Sequence, residues 1–133
     1  MKNAKTIFCN DNGYYNIYQS DRYGFNNPDT EWDSKEIEYL LIGDSFTQGA
    51  CVNRPYDITS VLRKLSNKSA ITLGISASGS LTQFASLREY LPKNVRNIIL
   101  LYFEGNDNGE LRIELNNEVL LNYLKNENEM EEF

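Results

Sequence analysis

Three short apolar runs, each followed by a loop of small and polar residues, constrain the fold of this chain more than any other feature. They are "IEYLLI" from Ile37, "AITLG" from Ala70 and "NIILLYF" from Asn97. Runs of this length without a polar alternation are typical of strands that are covered on both faces. The sequence therefore predicts a sheet whose strands are separated along the chain by other elements.

The segments between these runs have the periodicity of helices. In "DITSVLRKLSN", four apolar residues lie at i, i+3, i+4 and i+7 from Ile58, so they share one helix face. "SLTQFASLREYLP" repeats this spacing from Leu81, and Pro92 marks its end. Strands that alternate with helices pair in parallel through right-handed crossovers. We therefore expect an α/β fold with a doubly wound parallel sheet in the order second, first, third strand.

The chain has 133 residues, the size of one ordinary domain. We divide it into an N-terminal loop or hairpin extension (1–36) and an α/β core (37–133). Residues 10–36 are polar and rich in turn formers, and their aromatic side chains are expected to hold them against the core. The last segment, from Leu111, is expected to be helical in its middle and frayed at its acidic end.

Composition excludes several functions. The net charge is −6, so we expect no electrostatic attraction between this chain and nucleic acid or an anionic membrane. No stretch approaches the roughly 18 apolar residues of a membrane span, and the first residues are too polar for a signal peptide. We expect a cytoplasmic protein. Cys9 and Cys51 fit no metal-ligand spacing, and we expect buried free thiols rather than a disulfide.

The loops after the three strands are the candidate functional site, because sites in such sheets lie beyond the carboxyl ends of the strands. They contain Gly43–Asp44–Ser45, the stretch from Gly74 to Gly79, and Gly105–Asn106–Asp107. Each also has a purely structural explanation. Ser45 could be a helix N-cap, the glycines could serve turns, and Asn106 could tolerate a left-handed turn. Neither a G-x-x-x-x-G-K-[ST] nor a G-x-G-x-x-G phosphate motif is present.

Taken together and in this order, "GDSFTQG", "GISASG" and "GND" resemble the SGNH, or GDSL, hydrolase superfamily over roughly residues 20 to 115. The resemblance implies a flavodoxin-like three-layer α/β/α sandwich with a parallel sheet. It also implies a serine esterase, lipase, deacetylase or acyltransferase that needs no metal or cofactor. Ser45 would be the nucleophile, and its own N–H and the Asn106 side chain would be oxyanion donors. A further backbone N–H would come from Ala77, where the family usually has glycine, or from Gly79.

The general base of that family is a histidine, and this chain contains none. We therefore expect the α/β fold to be truncated after its third core strand and the chain to be inactive as it stands. By resemblance the parent enzyme acts on small acyl esters, including acetyl groups on carbohydrate. The alternatives are a binding module without turnover and an unrelated flavodoxin-like module. Asp44, Glu104 and Asp107 are expected to be surface carboxylates, poorly matched to activate a serine.

A sheet of three strands would leave an apolar edge beside "NIILLYF". Unpaired strand edges pair readily with other strands. We therefore expect marginal stability or self-association unless another chain covers this edge.

Overall fold

A computed structural model describes residues 1–11 and 13–125 and has a mixed α/β fold. The strands are β1 (Lys5–Ile7), β2 (Ile17–Gln19), β3 (Ile37–Ile42), β4 (Ala70–Thr72) and β5 (Val95–Leu100). The α-helices of the described residues are α1 (Ser45–Gln48), α2 (Ile58–Ser66), α3 (Ser80–Tyr90), α4 (Asp107–Glu114) and α5 (Glu118–Lys125), and Asp29–Asp33 forms a 3-10 helix. No helix in this part of the chain is long and apolar enough to cross a membrane.

The predicted core sheet is confirmed in its pairing and order. β3 lies in the centre, with β4 on one side and β5 on the other, and both pairings are parallel. Leu40 of β3 stands opposite Ile71 of β4 and Ile98 of β5. Parallel strands in this order require crossovers between them, and α2 and α3 lie in those connections.

The hydrophobic core surrounds β3 because this strand is flanked on both edges. Its buried members are Phe25, Ile37, Leu40, Ile42, Ile71 and Leu73. Trp32 from the 3-10 helix and Leu87 and Tyr90 from α3 pack against them. The N-terminal segment therefore belongs to the core through Phe25 and Trp32, as its aromatic content predicted. Tyr14 and Tyr15 do not take part, since both are exposed.

The N-terminal segment is an ordered antiparallel hairpin, β1 with β2, followed by a turn built around Asp21. The buried carboxylate of Asp21 accepts hydrogen bonds from the backbone N–H groups of Tyr23, Gly24 and Phe25, at 2.7 to 2.9 Å. Its second oxygen accepts from the Asn27 amide at 2.8 Å and from the Trp32 indole at 2.7 Å. A single side chain thus joins this turn to the 3-10 helix.

The two outer edges of the sheet differ. Side chains cover the edge of β4: Asn27 exchanges two hydrogen bonds with the backbone of Thr72, at 2.8 and 2.9 Å. Glu31 accepts from the Ala70 N–H at 3.3 Å, and Arg63 donates to the Ala70 carbonyl at 2.6 Å. The outer edge of β5 has no strand partner within the described residues.

Two expectations need correction. Cys9 and Cys51 are not free thiols; they form a disulfide that joins the hairpin to the segment after α1, with Cα atoms 5.3 Å apart. The C-terminal region contains two helices instead of one, because the chain leaves α4 at Leu115 and Asn117 begins a new turn. The Asn117 side chain accepts from the Val119 N–H at 3.0 Å at the start of α5. The acidic end, 126–133, lies outside the described residues.

Candidate functional site

The first and second loops are in direct contact at the carboxyl edge of the sheet. A Cβ on Gly74 would lie 2.2 Å from the Gln48 backbone nitrogen, so only glycine allows the second loop to approach α1 this closely. The Ser76 N–H donates to Gln48 Oε1 at 2.7 Å, which fixes the same contact by a hydrogen bond. The loops after β3 and β4 therefore form one surface.

The third loop joins the same edge. The ring of Phe46, which follows Ser45, packs edge-to-face on Phe103 with centroids 4.9 Å apart. The backbone also approaches closely, since a Cβ on Gly43 would lie 2.7 Å from the Leu101 carbonyl oxygen. All three motif loops thus meet beyond the carboxyl ends of the strands, as the general rule for such sheets predicts.

Ser45 is the first residue of α1, and its neighbour Asp44 is the N-cap. Asp44 Oδ1 accepts from the Phe46 N–H at 3.0 Å, so the explanation of Ser45 as an N-cap is wrong. The Ser45 side chain is half-buried. Within the described residues, no hydrogen bond engages its hydroxyl, which leaves the oxygen available for chemistry.

Asn106 stands at the N-cap position of α4 and does not cap it. Its side chain makes no capping hydrogen bond, and its Oδ1 is buried without a partner in the described part of the chain. Its φ is −134°, so the alternative of a left-handed turn is wrong. A buried carbonyl oxygen without a partner costs free energy, so the side chain of Asn106 is not explained by a structural role in the loop.

The second motif, "GISASG", contains two candidate backbone donors, the N–H groups of Ala77 and Gly79. The Gly79 N–H is occupied, because it donates to Glu114 Oε1 at 2.7 Å. The Glu114 carboxylate also accepts from Leu81 at 3.0 Å, so it caps α3 from the end of α4. Ala77 is exposed, with φ of +55°, a conformation that favours glycine, and no hydrogen bond of the described residues engages its N–H.

The aspartates of the motifs are buried, contrary to expectation, and only Glu104 is exposed. Asp107 Oδ2 accepts from the Phe103 N–H at 2.6 Å, much as Asp44 accepts from Phe46. The second carboxylate oxygen of each is buried and has no partner among the described residues. Asp44 and Asp107 therefore shape their loops and each keeps one oxygen that can accept a hydrogen bond from a ligand.

A cavity of about 210 Å³ is bordered by Asp44 and Phe46, the two chain neighbours of Ser45. It is lined by Asp44, Phe46, Leu101, Tyr102 and Phe103. The sequence analysis did not predict that these aromatic residues line a cavity, although their position next to "GDS" and "GND" could have indicated it. It also missed Glu114, whose partner lies 35 residues away and which no local pattern marks.

Within the described residues, no group of three or more Cys, Asp or Glu side chains could hold a metal ion. Comparison with protein-family models, with curated proteins and with solved structures found no match.

Proposed function

We propose that this chain carries the acyl-ester site of an SGNH-type serine hydrolase or acyltransferase with a flavodoxin-like core. One observation carries the proposal: the three loops that bear the motif residues meet at one edge of the sheet. There the Ser45 hydroxyl and the Asn106 side chain make no hydrogen bond to the described chain. Reactive and donor groups that the fold leaves unpaired favour a catalytic site over a set of turns.

In this proposal the Ser45 oxygen attacks the carbonyl carbon of an ester. The carbonyl π bond opens, and its electron pair forms an oxyanion that accepts hydrogen bonds from the N–H of Ser45, the Asn106 amide and the N–H of Ala77. Such donors contribute a few kcal/mol each in acyl transfer. A base takes the Ser45 proton as the new bond forms and gives it to the leaving oxygen as the intermediate collapses, which expels the alcohol and leaves an acyl-serine. Water or a second alcohol then cleaves the acyl-serine. Gly79 is the weaker donor candidate because Glu114 occupies its N–H.

The proton of the serine hydroxyl needs a base, and the 133 residues include no histidine. Asp44 and Asp107 are engaged in loop structure through one oxygen each. We therefore expect this chain alone to turn over esters slowly or not at all. The second candidate function, a module that binds an acylated ligand such as an acylated carbohydrate without turnover, is favoured by that lack of a base.

Imidazole added to the solution can test the proposal by replacing the absent side chain. We expect added imidazole to raise hydrolysis of 4-nitrophenyl acetate by the protein well above the imidazole background. An increase in the rate of at least tenfold, which corresponds to an activation free energy lower by about 1.4 kcal/mol, would support the proposal. Ser45→Ala should abolish the increase, while Ser66→Ala, a serine at the end of α2, should retain it.

The acyl-enzyme offers a second readout. Mass spectrometry of the quenched reaction should find the acetyl group on the peptide that contains Ser45. Equal turnover by wild-type and Ser45→Ala proteins, or acetyl groups spread over lysines only, would contradict a nucleophilic Ser45. If acetylated ligands bind at this edge but Ser45 is never acylated, the binding module is the better description.

A further inference from the structure

We infer that the site takes an apolar acyl chain of medium length, and that Phe46 and Phe103 select it. The inference rests on the proposed function and narrows its substrate class. It starts from the position of the cavity, whose lining includes the residues on both sides of Ser45, Asp44 and Phe46. Ser45 lies between these two lining residues in the chain, and the inference places the acyl group of an acyl-serine in this cavity.

The lining has the chemistry of a hydrocarbon site. Phe46, Leu101 and Phe103 contribute carbon surface, and the rings of Phe46 and Phe103 contact each other edge-to-face. Tyr102 adds its ring, and its hydroxyl already donates to Asn108 Oδ1 at 2.6 Å. Asp44 is the one charged lining residue. Such a lining cannot satisfy the several hydroxyl groups of a sugar, so the carbohydrate part of an acylated sugar does not belong in it.

The exposure of these rings agrees with a ligand that covers them. Phe46 is 56% exposed and Phe103 is 46% exposed, although each has aromatic surface to bury. The site is also too large for an acetyl group. At roughly 30 Å³ for a water-sized group, 210 Å³ holds about seven such groups. An acyl chain of roughly four to seven carbons matches that volume.

Neutral amides test the inference without any turnover. We expect hexanamide to shift the backbone amide NMR signals of Phe46 and Phe103, with a dissociation constant at least tenfold lower than that of acetamide. Phe46→Ala and Phe103→Ala should each weaken hexanamide binding at least fivefold. Phe84→Ala is the matched control, because Phe84 is a phenylalanine of similar exposure, 39%, on α3, and it should leave binding unchanged.

The alanine variants could lose binding because they unfold, so a second test uses a larger aromatic ring at the same position. Phe103→Trp should fill part of the cavity and move the preferred amide to a shorter chain. Equal affinity for acetamide and hexanamide, or no binding of hexanamide at its solubility limit, would overturn the inference. In that event Ser45-dependent hydrolysis of 4-nitrophenyl acetate with imidazole would still support the proposed function, so the two failures are distinguishable.

Discussion

At the scale of single residues, the carboxyl edge depends on a few groups that make the close approach of three loops possible. Gly43 shows the constraint most clearly. A Cβ at this position would lie 2.1 Å from Thr47 Oγ1 and 2.7 Å from the Leu101 carbonyl oxygen. Nearby, Asp44 accepts from the Phe46 N–H at the start of α1, and Asp107 accepts from the Phe103 N–H in the loop before α4. The geometry of the candidate site is therefore set by residues that need not touch a substrate.

Gly43→Ala should destabilise the protein by roughly 1 to 3 kcal/mol, because the methyl group must displace backbone as well as the Thr47 side chain. Urea denaturation followed by circular dichroism measures this loss. Gly109→Ala is the matched control, since nothing lies within 4 Å of its Cβ position in α4. It should stabilise the helix by up to about 1 kcal/mol. Equal stabilities for the two variants would show that the loops can separate without cost.

Asn106→Ala should lower the imidazole-supported rate constant for ester turnover by roughly 100-fold, with little change in substrate binding. The amide donates fully only when the carbonyl oxygen becomes negative. Asn116→Ala, at an exposed position after α4, should leave the rate unchanged. Full activity of Asn106→Ala would remove the main link between this site and oxyanion chemistry.

At the scale of elements, the structure is a sheet with one covered edge and one open edge. The N-terminal segment provides the cover: Asn27 and Glu31 bind the outer backbone groups of β4. That arrangement depends on Asp21, which holds the turn before them. β5 has no such cover in the described residues, and its Ile98 and Leu100 are 47% and 60% exposed. Self-association through this edge stays a prediction of the sequence, and the structure supplies the surface it needs.

Asp21→Asn should destabilise the protein by about 3 kcal/mol. All the groups that face this side chain are hydrogen-bond donors, so the NH₂ group of the new asparagine would face donors and find no acceptor. Chemical denaturation provides the measurement. Asp33→Asn serves as the control, since Asp33 is an exposed partner of Arg22 at 2.8 Å and should give a far smaller change. Similar losses for both variants would mean that the buried turn does not organise the segment.

Ile98→Lys should weaken self-association at least tenfold, because a lysine on an open strand discourages pairing with a second strand. Sedimentation velocity over a range of protein concentrations tests this expectation. Ile113→Lys removes an isoleucine of even greater exposure, 70%, from α4 and should not affect association. A wild-type protein that stays monomeric at the highest concentration would contradict the prediction.

At the scale of the whole molecule, the Cys9–Cys51 disulfide ties the N-terminal hairpin to the loop between α1 and α2. It closes a long loop, with 42 residues of sequence separation. Disulfides persist in oxidising compartments and are rare in the cytosol. The cytoplasmic location therefore remains a prediction that the cysteine chemistry does not favour.

Replacing both cysteines by serine should lower the free energy of unfolding by roughly 4 kcal/mol, the loop-closure value for this separation. Denaturation of the oxidised protein and of the double variant measures the difference. Mass spectrometry under non-reducing conditions gives an independent check, because the oxidised chain lacks two hydrogen atoms. A protein isolated with two free thiols, as stable as the double variant, would contradict the disulfide.

The sequence by itself determined the parallel sheet, its strand order and the convergence of the three loops. Those features follow from local apolar runs, helical periodicity and the handedness of crossovers, all of which act over short stretches of chain. Only the tertiary structure decided that Cys9 meets Cys51. It also decided that Glu114 occupies the N–H of Gly79. Both contacts join residues that are far apart in the sequence. A local sequence pattern does not encode such a contact, because many different partners could satisfy the same donor or acceptor.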